Sequence, residues 1–353
     1  MIGYASLLNI DAQPHWTIFL TDFSLEPEEL RRIGRQLQRV ETRPLFIRID
    51  QGLAAALQKM RAADVDIHRD YVSLQAVVLR EDNLKLVRRL FDRLTRRDLA
   101  RVEVPSVASR QRRRCAMTLL TIVMRSDYAQ QEDVASRFFR LLEDRDPYQV
   151  VVTTPGGTLE IRDTRPWFEL AGRLRPNETR LIPDGEVSYS GDGDTRVEGE
   201  FVVDGAILPI AQGPRFAAES LRLMRWSREV SRHPFRLRVR GGKVVDISGN
   251  GRLPSAIARL FEASERYRHV NEVGIAFNRA STRFIHTWPA ASNEVRPGVH
   301  LGLGGAANPD AQTSLIHLDC IAANCAVFVN GHPFLNAGSR SGNRRVSRAA
   351  ARA

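Results

Sequence analysis

The stretch "TSLIHLDCIAAN", Thr313 to Asn324, sets an imidazole and a carboxylate two residues apart, His317 and Asp319, inside apolar sequence. Read as a strand, its side chains alternate, so Leu315, His317 and Asp319 share one face while Ile316, Leu318 and Cys320 share the other. Burying such a pair is costly unless an opposite charge or a hydrogen-bond network compensates it. Three further segments have the same design. In "NEVGIAFN" the alternation puts Glu272 beside Gly274 and Ala276, and in "GVHLGLGG" it puts His300 beside Gly302 and Gly304. "IPDGEVSYS" offers Glu186 at the start of a strand, just after a Pro-Asp-Gly turn.

Glu186, Glu272, His300, His317 and Asp319 make a set of three carboxylates and two imidazoles. If they converge, like charges raise one another's pKa, and two divalent cations would turn that repulsion into attraction. Mixed imidazole and carboxylate donors suit zinc, manganese, cobalt or iron, and one carboxylate can bridge two ions about 3.5–4 Å apart. A His-x-Asp pair also occurs as ordinary hydrogen-bonded structure, so spacing alone leaves both readings open.

In order along the chain, "GGTLEI", "LIPDGEVSYS", "VEGEFVVDG", "LRVRGGKVVDISG", "NEVGIAFN", "GVHLGLGGA" and "SLIHLDCI" resemble the catalytic half of the aminopeptidase T family of metallo-aminopeptidases, over about residues 148–332. The resemblance implies a pair of divalent ions (zinc, cobalt or manganese) held by Glu186, Glu272, His300, His317 and Asp319. It implies hydrolysis of an N-terminal peptide bond by an activated water, a peptide substrate and a homodimer. Members of the family carry a tyrosine seven residues after the first histidine; that place is Ala307 here, and the N-terminal half departs from the family pattern. The departure leaves room for a catalytically altered protein that binds or helps to build a peptide on the same fold. A related branch, the ring-cleaving 2,5-dihydroxypyridine dioxygenases, uses one Fe(II) held by a histidine together with the His-x-Asp pair. Glu272 stands where that histidine is expected, which favours the hydrolase type.

The elements that must position these residues fall into two halves. "HWTIFLTDF", "PLFIRID" and "SLQAVVLR" read as strands, and "EPEELRRIGRQLQRVE", "GLAAALQKMRAA", "NLKLVRRLFDRLTRRDL" and "EDVASRFFRLLEDR" as amphipathic helices; "CAMTLLTIVM" reads as a buried strand. This alternation predicts an open α/β sheet over residues 1–146, with no Gly-rich phosphate cradle after any strand. From 147 to 335 the texture becomes short strands with one helix, "LPSAIARLFEASERYR", which predicts a strand-rich α+β domain carrying the site; the resemblance implies that this domain is of metallo-aminopeptidase type. The α/β class thus covers both halves, and the basic segment 336–353 reads as a disordered tail.

With 353 residues and 43% hydrophobic content, the chain can bury two ordinary cores. No apolar run reaches the length of a membrane span and no secretory leader is visible, so a cytoplasmic protein without a membrane partner is expected. Cys115, Cys320 and Cys325 lack zinc-finger spacing and read as reduced structural thiols. The net charge of +11 concentrates in "RQRRR" (110–114) and the tail, without interleaved aromatics, so no nucleic-acid partner is expected. His286 and Trp288 read as a packing loop rather than a substrate pocket, "GDGDT" as a turn rather than a calcium loop, and Arg162 and Arg165 as solvated arginines. By alternation Cys320 points away from Asp319 and is rejected as a ligand.

Overall fold

The computed structural model describes residues 16–37, 42–65, 72–78, 81–93, 99–104, 118–119, 121–123, 125–163, 166–173, 179–181, 183–190, 196–211, 216–286, 291–304 and 316–337. Arg110–Arg114, Cys115, Arg165, the "GDGDT" run, Trp288, Ala307 and the tail from 338 lie outside the described residues. The protein is of mixed α/β class, as its sequence predicts, and its described strands form no closed barrel. Two compact units divide it: residues 1–135, 170–185 and 278–282 in one, and 136–169, 186–277 and 283–353 in the other.

The first unit is built on a five-stranded parallel sheet. β1 (Trp16–Thr21) lies between β2 (Arg43–Arg48) and β3 (Val72–Val77), followed outward by β4 (Leu99–Val104) and a late strand, Thr179–Leu181, which is β8 in chain order. Every residue of β1 is buried, as expected of a parallel strand covered on both faces. Between strands run α1 (Pro27–Leu37), α2 (Leu53–Ala62) and α3 (Glu81–Arg93). The start of α1 is specified locally: Pro27 takes the first helical position, and Glu29 reaches back to the Glu26 amide at 2.7 Å.

Two strands of this sheet have no counterpart in the sequence reading. Leu99, read as the end of a helix, opens β4, and β8 arrives from beyond residue 146. The expected strand "CAMTLLTIVM" is also corrected: residues 118–119, 121–123 and 125 are helical. Leu119, Ile122, Val123 and Ser126 are buried, which is the i, i+3, i+4, i+7 stripe of a helix face. A short apolar run carries too few polar breaks to separate that period from a buried strand.

The second unit holds two sheets. The larger has the order β13 (Lys243–Gly249), β12 (Phe235–Arg240), β10 (Val197–Val203), β6 (Gly157–Asp163), β5 (Tyr148–Thr154), β17 (Cys325–Val329), β18 (His332–Ala337), with antiparallel pairings throughout. Its alternation is plain in β12, where Phe235, Leu237 and Val239 are buried and Arg236, Arg238 and Arg240 are exposed. The smaller has the order β11 (Ala206–Ala211), β16 (Ile316–Ala322), β15 (Gly298–Gly304), β14 (Val270–Ala276), β9 (Glu186–Ser190), β7 (Trp167–Leu170). The longer helices that follow are α4 (Tyr128–Glu143), α5 (Ala217–Ser227) and α6 (Arg252–Ala263). Phe138 on α4 stacks edge-on against Trp167 and Phe334, with ring centroids 4.9 and 5.1 Å away, and Trp167 in turn meets Tyr189 on β9. That aromatic cluster backs the strand that begins with Glu186. Among the described residues, no helix is long and apolar enough to cross a membrane.

Candidate metal centre

β15 and β16 are buried along their whole length, so any polar side chain on them is removed from water. Register then decides what meets what. His300 on β15 lies opposite Gly274 on β14; Glu272 and Asp319 both lie opposite Gly302; His317 lies opposite Gly304; and Glu186 on β9 lies opposite Ala276. Each polar residue thus faces a residue with little or no side chain on one neighbouring strand. The spacing is required, because a Cβ on Gly302 would come within 2.8 Å of His317 Cε1 and of Glu272 Cβ and 3.1 Å of Asp319 Oδ1. A Cβ on Gly274 would lie 2.0 Å from His300 Cε1.

The structure brings together all five residues singled out in the sequence. His317 Nε2 is 2.9 Å from Asp319 Oδ1 and 3.4 Å from Glu272 Oε2. The other imidazole, His300, has Nε2 3.8 Å from Glu272 Oε1 and Nδ1 3.9 Å from Glu186 Oε2. Two three-residue donor groups result, Glu186–Glu272–His300 and Glu272–His317–Asp319, and in each the donor atoms lie within 4.8 Å of one another. Glu272 belongs to both, with one oxygen turned toward each histidine. Neither group contains both histidines.

Two residues escaped the sequence reading. Ser188, on the same face of β9 as Glu186, donates to Glu272 Oε1 at 2.8 Å, and strand alternation alone would have found it. Glu294 lies in the turn before β15, where no periodicity applies; the residue keeps some exposure, but its carboxyl is enclosed beside Asp319, Glu186 and Glu272. "NEVRPGVH" therefore carries an acid whose relevance only the folded turn reveals.

Electrostatics follows from burial opposed by pairing. Burial pushes the Glu294 carboxyl up, and the Asp319, Glu186 and Glu272 charges push it further, well above the usual carboxylate range. For Glu272 burial also acts upward, but hydrogen bonding and charge from His300 and His317 outweigh it and hold the group well below that range. Burial lowers His300, yet Glu272, Glu186 and Asp319 raise it to about 9; His317 is raised likewise, against its own burial, by Asp319 and Glu272. Without cations the cluster therefore draws in protons. Cys320, next to Asp319, is forced upward by burial and by that charge, and belongs to neither donor group.

The residues present fit divalent cations. Asp319 is fully buried, and its one close N–H neighbour, His317 Nε2 at 2.9 Å, is not aligned as a hydrogen-bond donor to it; among the described residues His300 Nδ1 is likewise buried without a hydrogen bond. Four carboxyl groups crowd two imidazoles, which leaves excess negative charge inside the fold, and Gly302 keeps clear the space that the donors surround. Arg162, by contrast, is exposed and paired with Glu160 at 2.6 Å, and His286 Nδ1 packs 3.2 Å from Ser227 Oγ.

No protein-family model matches the chain, and no curated protein is similar to it in sequence. Its fold is similar to that of 2,5-dihydroxypyridine dioxygenase from Pseudomonas putida KT2440, at 12% identity and a TM-score of 0.53, over 93% of this chain and 92% of that one.

Proposed function

We propose that the protein is a metal-dependent hydrolase that cleaves the peptide or amide bond next to a free N-terminus, using two divalent ions. The observation that carries this reading is the sharing of Glu272 between two donor groups whose atoms lie 4.8 Å or less apart. A bridging carboxylate between two such groups is the arrangement of a two-ion centre. Glu186 and His300 would hold one ion, His317 and Asp319 the other, with Glu272 common to both. Such ions supply an activated water and polarise the bond to be cut.

The chain's own residues do the remainder. Ser188 donates to Glu272 Oε1, so the carboxylate shared by the two donor groups keeps one orientation. Full burial of Asp319 and near-complete burial of His300 keep bulk water from competing for the same donors. Glu294, enclosed beside Asp319, holds a proton at its carboxyl and can pass it to a leaving nitrogen. Zinc, cobalt and manganese all suit this donor set. Buried, unpaired Cys320 and Cys325 are in keeping with a reducing, cytoplasmic location. A homodimer, and no nucleic-acid or membrane partner, belong to the same proposal.

A ring-cleaving dioxygenase is the second reading, favoured by the fold of the Pseudomonas protein. Against it, a two-histidine, one-carboxylate iron site needs both imidazoles on one ion, and they fall in separate groups here. Elemental analysis of protein purified without chelator, with assays on a dipeptide and its N-acetyl form, tests the proposal. About two zinc-like ions per chain and cleavage confined to the free amine are expected. A single oxygen-sensitive iron, with oxygen uptake on a dihydroxylated ring and no peptide cleavage, would overturn it.

A further inference from the structure

The donors occupy one face of the smaller sheet, and register names their neighbours on that face. Two rows of directly paired residues cross the sheet: Leu208, Asp319, Gly302 and Glu272 in one, Ala206, Ile321, His300 and Gly274 in the next. A third row begins with Ile210 on β11, opposite His317 on β16, which is in turn opposite Gly304. Directly paired residues of antiparallel strands share a face, with Cβ atoms about 4.5–5.5 Å apart. Ile210 is therefore a side-chain neighbour of His317 on the side of the sheet that carries the donors.

These rows differ in their access to water. Ala206, Leu208, Ile321, His300 and Asp319 are buried, whereas Ile210 is 40% exposed. Solvent thus reaches this face beside His317. Ile210 is also held in place, because its strand is pinned along its free edge. Ser227 on α5 accepts from the Ile207 amide at 2.9 Å and donates to the Ile207 carbonyl at 3.1 Å, and Ser220 donates to the Pro209 carbonyl at 2.5 Å. Pro209 itself has no N–H to leave unpaired there. In a peptide whose amine sits at the donors, the carbon bearing that amine also bears the first side chain, which falls within a side-chain length of the cluster. Of the aliphatic residues in these rows, Leu208, Ile210 and Ile321, only Ile210 keeps surface free for it.

Resting on the hydrolase reading, we infer that Ile210 receives the side chain of the substrate's first residue, which makes peptides with an aliphatic amino-terminal residue the preferred class. The experiment uses the full chain loaded with zinc, and compares Leu-Gly, Ala-Gly, Gly-Gly and Gly-Leu by kcat/KM and by calorimetric binding. Apolar contact with the first side chain is expected to favour Leu-Gly over Gly-Gly about 10-fold or more in the wild type. I210A is expected to lower that ratio at least about threefold, because most of the contact surface is gone. I210F, which takes up room beside His317, is expected to shift the preference from Leu-Gly to Ala-Gly. Both variants are expected to keep the wild-type ion content, so a preference that follows the bulk at this position is not a loss of the cluster. Equal kcat/KM for Leu-Gly and Gly-Gly, or a ratio that neither variant moves, overturns the inference and leaves the hydrolase reading standing. So does a preference for Gly-Leu over Gly-Gly that I210A alone removes, since the second residue would then lie on Ile210, and so does loss of ions from both variants. Tighter binding of Leu-Gly than of Gly-Gly that I210A abolishes, with no peptide cleaved, retains the role of Ile210 and overturns the hydrolase reading. Binding of none of the peptides overturns the inference.

Discussion

Glu272 is the residue on which both halves of the centre depend, since among the described residues it alone contributes to both donor groups. E272A is therefore expected to empty the site, from about two ions per chain to near none, whereas E186Q and D319N each weaken one group and retain about one ion; metal analysis after dialysis separates the cases. The histidines give a pH signature in the metal-free protein. His300 has a folded pKa of about 9 against an ordinary 6.5, so its protonation stabilises the fold fully below pH 6.5, and that contribution disappears as pH rises through about 9. Glu272 acts with opposite sign: its low folded pKa stabilises above about pH 4.5 and less as the solution becomes more acid. Urea unfolding of chelated protein should show a midpoint that falls between pH 6.5 and 9, and apparent metal affinity should climb across the same window because ions displace those protons. A midpoint flat over that range would mean the imidazoles are not charged in the metal-free cluster.

At the scale of the element, the centre is a consequence of antiparallel register in β9, β14, β15 and β16. Glycines opposite His300, Glu272, Asp319 and His317 provide room that neither strand supplies alone. G302A introduces a methyl group 2.8 Å from His317 Cε1 without demanding an unusual backbone angle. Its expected effect is a loss of metal affinity of about 10- to 100-fold with the sheet intact, read by metal titration alongside circular dichroism. Unchanged affinity in folded G302A would show that the ions do not occupy the space this glycine protects. The alternation that places His300, Gly302 and Gly304 on one face is visible in "GVHLGLGG" itself. The same cannot be said of Glu294, whose turn obeys no period, or of the helical residues 118–119, 121–123 and 125, whose apolar run fits either period.

At the scale of the molecule, the donor cluster belongs to one of the two compact units: Glu186, Glu272, Glu294, His300, His317 and Asp319 all fall within it. An ion that binds the folded state alone stabilises that unit by mass action, by about 2.7 kcal/mol at a hundred times the dissociation constant. For a unit of this size the corresponding rise in Tm is about 5–10 °C. Calorimetry with and without zinc should show one transition moving by that amount; superimposable traces would mean that the cluster holds no ion. Burial of uncompensated carboxylates is the reason for expecting the shift, because the metal-free unit must either protonate them or keep their repulsion.

Period-two alternation, the glycines beside Glu186, Glu272 and His300, and the choice of histidine and carboxylate were all determined by the chain itself, because each is a local property of a strand. They were enough to single out five of the clustered side chains and a mixed α/β class. What only the tertiary structure decided is adjacency: that β14 lies between β9 and β15, that Glu272 faces both histidines, that Glu294 folds in beside Asp319, and that β8 joins the first sheet from beyond residue 146. Strand order depends on which apolar faces are buried together across long stretches of intervening chain, and no local spacing records that competition.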